Sequence, residues 1–221
     1  AAAARPRSSA LVLGILAGAG TGDRLGAQAP KAFIPCAGRE LWEWSADVLA
    51  STCDRVVFAV PPSHLEGPGP DRVAGGASRS ESVRNALAVA PDADIVVIHD
   101  AARPLVTEDL VRRCIAEVES GADGAVAAVP VTDTIKEADS GRRVLRTLDR
   151  SVLWAIQTPQ AFRADALRDA MDAEPEALAA ATDDAALVEA AGGSVQVVEA
   201  PVENFKVTWP VDLARAEAAL C

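Results

Sequence analysis

The residues best suited to chemistry in this chain cluster around the stretch LVLGILAGAGTGDRLGAQAPKAF, at positions 11–33. Glycines at 18, 20, 22 and 26 follow an apolar run, and two cations, Arg24 and Lys31, lie within and just after them. Glycine lets backbone approach a bound group closely and take positive φ. Successive N–H groups in such a turn can wrap an anion, and fixed cations complete the site. Cations so placed suit charge developing on a phosphoryl group in flight. Further on, Asp100 ends the run IVVIHD. A carboxylate there can hold Mg²⁺ beside a triphosphate, or simply cap the next turn. Arg103 is its ion-pair partner or a ligand contact. His99 is expected on the opposite face of the strand, in a structural role. Lys206, in NFKVT, carries no signal by itself.

Several chemistries find no support. Lys31 follows Pro30, so the loop is not a Walker loop, and neither Gly18 nor Gly20 begins a G-x-G-x-x-G fingerprint. There is no G-x-S-x-G elbow and no Cys beside a His, hence no nucleophile with a base partner. Cys36, Cys53, Cys114 and Cys221 lack C-x-x-C spacing and only two histidines exist, which argues against zinc and for reduced thiols in a cytoplasmic protein. A net charge of −11 argues against a nucleic-acid partner. It leaves a phosphorylated substrate open, provided cations are local and a divalent metal assists. Arg5 and Arg7 ahead of the apolar run loosely imitate a signal peptide, but that run is better used as a buried strand. No stretch approaches the ~18 apolar residues of a membrane span.

The elements that must carry these residues alternate. Apolar runs at 11–16, 56–60, 95–98, 125–131 and 195–198 read as strands. Between them come helical patterns. Leu41, Trp44, Ser45, Val48 and Leu49 share one face. Ser80 is placed to cap a helix carrying Val83 and Leu87. Thr107 starts a helix with the stripe Leu110, Val111, Cys114, Ile115 and Val118, ended by Gly121. Helices follow at 164–171, 183–191 and 211–220, the last with Pro210 in its first turn. This predicts an α/β, Rossmann-like, mostly parallel sheet with helices on both faces. Ligands bind such folds at the carboxyl ends of strands, where the glycine loop and Asp100 both fall. Residues 132–153 break the pattern: two short extended runs flank Asp139-Ser140-Gly141, predicting an inserted β-hairpin arm. Residues 1–9 read as a loose tail, and 61–70 as a surface loop.

In order, AGAGTGDRL…PKAF, GGASRSESV, VIHDAARP, VTDTIKEA, TLDRSVLWAIQTPQAF, TDDAALVEAAGG and ENFKVTWPVDL resemble the 2-C-methyl-D-erythritol 4-phosphate cytidylyltransferase family, over nearly the whole chain. The resemblance implies one nucleotidyltransferase domain over 1–221, transferring CMP from CTP to that sugar-alcohol phosphate with release of pyrophosphate. It implies that Arg24 and Lys31 stabilise the transition state and that Ala19, Gly20, Gly76 and Ser82 contact cytidine. It also implies that Asp100 holds Mg²⁺ or another divalent cation with Arg103 beside it, and that Thr134, Arg150 and Lys206 hold the sugar phosphate. The arm at 132–153 would exchange across a homodimer, so that Thr134 and Arg150 serve the partner's site. Ala17, Asp23, Ala77 and Glu203 depart from the family pattern, and Ala77 bears on one base or ribose contact. A cytidylyltransferase for ribitol or another pentitol phosphate would share the loop, Asp100 and Lys206. A non-catalytic nucleotide-binding module on the same fold is a different class of alternative. Arg24, Lys31, Asp100 and Lys206 occurring together argue against it.

Overall fold

The protein is described by a computed structural model for residues 10–20, 22, 25, 26 and 29–221. The expected tail at 1–9, together with Arg24 and Asp23, lies outside the described residues. In chain order the elements are β1 (Val12–Ala17), β2 (Pro35–Cys36), β3 (Arg39–Glu40), α1 (Leu41–Thr52), β4 (Arg55–Val60), β5 (Asp71–Ala74), α2 (Arg79–Ala88) and β6 (Ile95–Asp100). Then come α3 (Glu108–Glu119), β7 (Gly124–Pro130), β8 (Lys136–Ala138), β9 (Val144–Thr147) and β10 (Trp154–Arg163). The chain closes with α4 (Ala164–Met171), α5 (Pro175–Ala180), α6 (Asp184–Ala190), β11 (Val195–Glu199) and α7 (Pro210–Leu220).

Seven strands form one sheet in the order β11-β7-β10-β6-β1-β4-β5. All run parallel except β10, which is antiparallel to both β6 and β7. The architecture is thus the α/β, mostly parallel sheet that the alternation predicts. Buried strands alternate their side chains between two helical layers. Val12 and Leu16 of β1, with Ile95 and Val97 of β6, pack against Trp42, Ala46 and Leu49 of α1 and the stripe of α3. Leu13, Ile15, Val96 and Ile98 face the other way, onto Val83 and Leu87 of α2, Leu167 of α4 and Val188 of α6. A smaller cluster seats α7 through Ala216 on Ile34, Cys36, Leu41 and Val207. β8 and β9 pair only with each other, as a hairpin outside the main sheet.

Two local expectations need correction, and one strand shows no apolar pattern in the sequence. On α1 the buried indole is Trp42 rather than Trp44. Trp44 instead donates from Nε1 to the Cys36 carbonyl at 3.1 Å and carries Arg39 over its ring. The cap of α2 is Ser78, which accepts from the Glu81 N–H at 3.1 Å, while Ser80 is buried inside the first turn. Strand β10 gave no apolar run to read, because Gln157, Thr158, Pro159 and Gln160 occupy its middle and its register slips between Ile156 and Gln160. The cap of α3 at Thr107 and its five-residue stripe stand as expected.

Candidate active site

β1 and β6 lie side by side, with Ala17 opposite Asp100 at their carboxyl ends. The chain leaves β1 for β4 on one side, while β6 flanks β1 on the other. The crevice at such a reversal of strand order is where open α/β sheets bind ligands. Here it is a cleft of about 370 Å³. Close backbone packing shapes its rim. A Cβ on Gly18 would fall 2.4 Å from a Phe58 ring carbon, and one on Gly75 would fall 2.4 Å from the Ala19 Cβ. The loop after β1 can therefore lie this close to β4 only with glycine at 18, and this close to the turn before α2 only with glycine at 75. The Lys31 N–H donates to the Gly20 carbonyl at 3.3 Å, which brings a one-turn 3₁₀ helix, Lys31–Phe33, back to the loop. Its buried Phe33 stacks on Phe58 with ring centroids 5.7 Å apart. Ser82 Oγ accepts from the Gly76 N–H at 3.0 Å and donates to the Ser78 carbonyl at 2.9 Å, fixing the turn opposite.

Of the residues expected to act, Ala19, Gly20, Lys31, Gly76, Ser82, Asp100 and Lys206 all line this cleft. Asp100 is its one acidic lining residue among those described. Lys206 Nζ donates to Asp100 Oδ2 at 2.6 Å, Arg79 Nε approaches Oδ1 at 3.4 Å, and Arg103 Nε stands 3.9 Å from Oδ2. Burial alone would raise the Asp100 pKa, but the charges of Arg79, Lys206 and Arg103 hold the carboxyl well below the usual range. It is an anion at any working pH. Lysine and arginine side chains here outnumber the carboxylate, so a chain that is acidic overall presents a locally cationic cleft.

Behind the cleft a buried network sets the backbone of the Asp100 turn. Thr158 Oγ1 accepts from the Asp100 N–H at 3.0 Å and lies 3.1 Å from His99 Nδ1. His99 Nε2 lies 3.2 Å from the Arg103 carbonyl, which can only accept. Nε2 therefore carries the ring proton, Nδ1 accepts from the Thr158 hydroxyl, and every group is satisfied. Burial pushes the His99 pKa down to about 4, so the ring stays neutral. His99 does lie opposite Asp100 in the strand alternation, and its partners show a structural role. Asn204 adds a second tie: its carbonyl accepts from Arg103 Nη1 at 2.8 Å, and its amide donates to the Thr158 carbonyl at 2.9 Å.

Not every expected residue reaches the cleft. Arg103 is buried behind Asp100 and does not line it. Thr134 and Arg150 are exposed on the hairpin arm, away from the cleft of their own chain, and Arg150 Nη1 donates to the Thr132 carbonyl. Arg24 lies outside the described residues. Conversely, Arg79 and Asp184 escaped sequence reasoning, although both stand within the quoted motifs GGASRSESV and TDDAALVEAAGG. The available signal was a charged side chain at each helix start, which alone reads as a surface feature.

The model of the 2-C-methyl-D-erythritol 4-phosphate cytidylyltransferase family matches residues 12–221. The chain is 46% identical to 2-C-methyl-D-erythritol 4-phosphate cytidylyltransferase of Rubrobacter xylanophilus, over 93% of this chain and 93% of that protein. It is also 46% identical to the bifunctional enzyme IspD/IspF of Anaeromyxobacter dehalogenans, covering 95% of this chain but spanning only 57% of that relative. Among solved structures, the crystal structure of 2-C-methyl-D-erythritol 4-phosphate cytidylyltransferase from Thermus thermophilus superposes with a TM-score of 0.80 at 36% identity, over 96% of this chain and 98% of that one.

Proposed function

The chain belongs to the 2-C-methyl-D-erythritol 4-phosphate cytidylyltransferase family, and on that premise we propose how its cleft transfers CMP from CTP to 2-C-methyl-D-erythritol 4-phosphate. A phosphate oxygen of the alcohol phosphate attacks the α-phosphorus of CTP. The bond from that phosphorus to the bridging oxygen of the β-phosphate breaks, pyrophosphate leaves, and 4-diphosphocytidyl-2-C-methyl-D-erythritol forms. No side chain is bonded to the substrate at any stage, so the work is positioning and charge stabilisation. The observation that carries this reading is the convergence of Lys31, Asp100 and Lys206 on one cleft at the carboxyl ends of β1 and β6.

In this reading Lys31 and Arg24 act on the oxygens of the α-phosphate, whose charge rises as the fifth bond forms. The turn at Gly76 and Ser82, with Ala19 and Gly20 opposite, holds the cytidine. Backbone groups of fixed polarity there distinguish a 4-amino group from a carbonyl. Lys206 holds the alcohol phosphate. The ionised carboxylate of Asp100 fits a divalent cation in the way Mg²⁺ is commonly held beside nucleotides, by one or two carboxylates plus phosphate oxygens and water. Bound there, the cation would neutralise triphosphate charge.

The second half of the reading is a homodimer. Val144, Leu145, Val152, Trp154 and Ile156, along the arm and the start of β10, are each 37–71% exposed. A two-stranded hairpin is marginal without something to pack on, and exchange of the same arm by a second copy would cover these side chains. Thr134 and Arg150 would then serve the partner's cleft, where a guanidinium can grip a phosphate in two places. The four cysteines are unpaired, which suits a cytoplasmic enzyme. Pyrophosphate release from CTP tests the activity. It should require 2-C-methyl-D-erythritol 4-phosphate, and faster release with ribitol 5-phosphate would overturn the substrate assignment.

A further inference from the structure

Asp184 is the most deeply buried carboxylate among the described residues, with no exposed surface. It opens α6, and its Oδ2 makes a short contact with Nη1 of Arg79, which opens α2. The same guanidinium reaches Asp100 through Nε at 3.4 Å. One arginine therefore bridges a carboxylate sealed in the interior and the carboxylate that faces the cleft.

As a mere fastener between two helices the pair would be poorly built. Arg79 Nη2 and Asp184 Oδ1 are both buried, and neither has a hydrogen-bond partner. A sealed carboxylate and a mostly covered guanidinium with unused bonding capacity gain little over apolar packing. The pair also places a cation at the start of α2, an end that the helix dipole makes unfavourable for positive charge. What the arrangement does achieve is directional. Arg79 is held by Asp184 on one side, so it offers Asp100 a single N–H, to Oδ1. Oδ2 is left toward Lys206 and the open cleft.

We infer that Asp184 and Arg79 are positioning residues of the nucleotide site: Asp184 restrains the Arg79 guanidinium so that it takes only Oδ1 of Asp100, keeping Oδ2 available to the incoming charge. Without Asp184, the nearest remaining carboxylate for Arg79 is Asp100. A guanidinium that turns onto a carboxylate tends to take both oxygens in parallel. Oδ2, whose present partner is the more exposed Lys206, would then also be held by a guanidinium fixed at the start of α2. Arg79 and Asp184 touch no reacting atom in this scheme; they act through Asp100.

The inference rests on the reading of the cleft as a CTP site, so the test begins with wild-type protein. Calorimetric titration with CTP at several Mg²⁺ concentrations gives the affinity and its metal dependence without turnover. Asp184→Asn should bind CTP at least about tenfold more weakly at limiting Mg²⁺, with the gap closing as Mg²⁺ rises and competes for Asp100. Adding Arg79→Gln to Asp184→Asn should restore much of the lost CTP affinity, because it removes the guanidinium that would otherwise take Oδ2. Asp184→Glu keeps the charge opposite Arg79 but moves the anchoring carboxylate by one methylene. It should show the same Mg²⁺-dependent weakening of CTP binding, and it decides the matter if Asp184→Asn does not fold. Wild-type CTP affinity and Mg²⁺ dependence in folded Asp184→Asn or Asp184→Glu, even with a lowered Tm, or no recovery on adding Arg79→Gln, would overturn the inference while leaving the CTP reading intact. Absence of CTP binding by the wild type would overturn both.

Discussion

Replacing Thr158 by valine isolates the buried network that sets the Asp100 turn. The side chain keeps its shape and loses one hydroxyl. Thr158, His99 and Asp100 are 4%, 0% and 7% exposed, so water cannot take over the lost bonds. Two groups become unsatisfied: the Asp100 N–H, now without its acceptor at 3.0 Å, and His99 Nδ1, without its donor at 3.1 Å. Each orphaned buried group costs about 1–3 kcal/mol, and the added methyl returns about 0.8 kcal/mol. The net loss should be about 1–5 kcal/mol. For a chain of this length that corresponds to a fall of roughly 2–20 °C in Tm. Urea denaturation at pH 7 measures it as a lower midpoint at unchanged slope. Turnover should fall as well, because the backbone that presents Asp100 is no longer fixed. A loss below about 0.5 kcal/mol, within the range of an ordinary surface substitution, would refute the assignment of donor and acceptor in this network.

Three further outcomes are expected. Lys31→Ala should fold normally and lose ~10²–10³ in turnover, the usual effect of deleting one donor to transition-state charge; steady-state pyrophosphate release checks it, and near-normal turnover contradicts the role. The Asp100 pKa is held down in the folded state against about 3.9 unfolded, so its contribution to stability is complete above about pH 4 and is lost as pH falls below that toward the folded pKa. The stability advantage of wild type over Asp100→Asn in urea should therefore narrow on acidification below about pH 4, and an advantage constant down to pH 2 would contradict the ion cluster. Finally, mixing inactive Lys31→Ala and Arg150→Ala homodimers should restore activity to about half per mixed dimer, since both lesions fall in one of two sites; no recovery after demonstrated subunit exchange would mean that each site is built from one chain.

The parts of the fold that were legible in the sequence share a physical reason. β1, β4, β6 and β7 are buried on both faces, so each reads as an unbroken apolar run. α3 buries one stripe, and its five apolar positions stand at helical spacing. Errors arose where local pattern and long-range packing disagree. Trp42 rather than Trp44 is buried because the Phe58 ring lies 5.2 Å from it, a contact that no periodicity within α1 encodes. β5 is only four residues long and half-buried at the sheet edge, too short to show an alternation. β10 is hidden by the polar residues that the site requires: Thr158 and Gln160 are buried, and their partners come from β6 and from the segment before α6.

The same distinction runs through the site. Asp100 and the glycines were legible because strand ends announce themselves in the chain, and the sheet then brings those ends together. Lys206 was not, since its partner lies 106 residues away and only the folded distance of 2.6 Å gives the lysine meaning. Arg79 and Asp184 are separated by 105 residues and are each placed at a helix start, where a charge alone implies nothing. What folding adds is a ranking of competitors for one carboxylate. Three cations surround Asp100, and by distance Lys206 is dominant at Oδ2, Arg79 is confined to Oδ1, and Arg103 stands back, engaged with the Asn204 carbonyl. Of the three, Lys206 is the one with 39% of its side chain exposed, and Asp100 is its one ion-pair partner among the described residues. It can leave Asp100 at the least desolvation cost. The carboxylate is thus held ionised in part by groups fixed in the interior, while the cation proposed to meet a phosphate is the most exposed of the three.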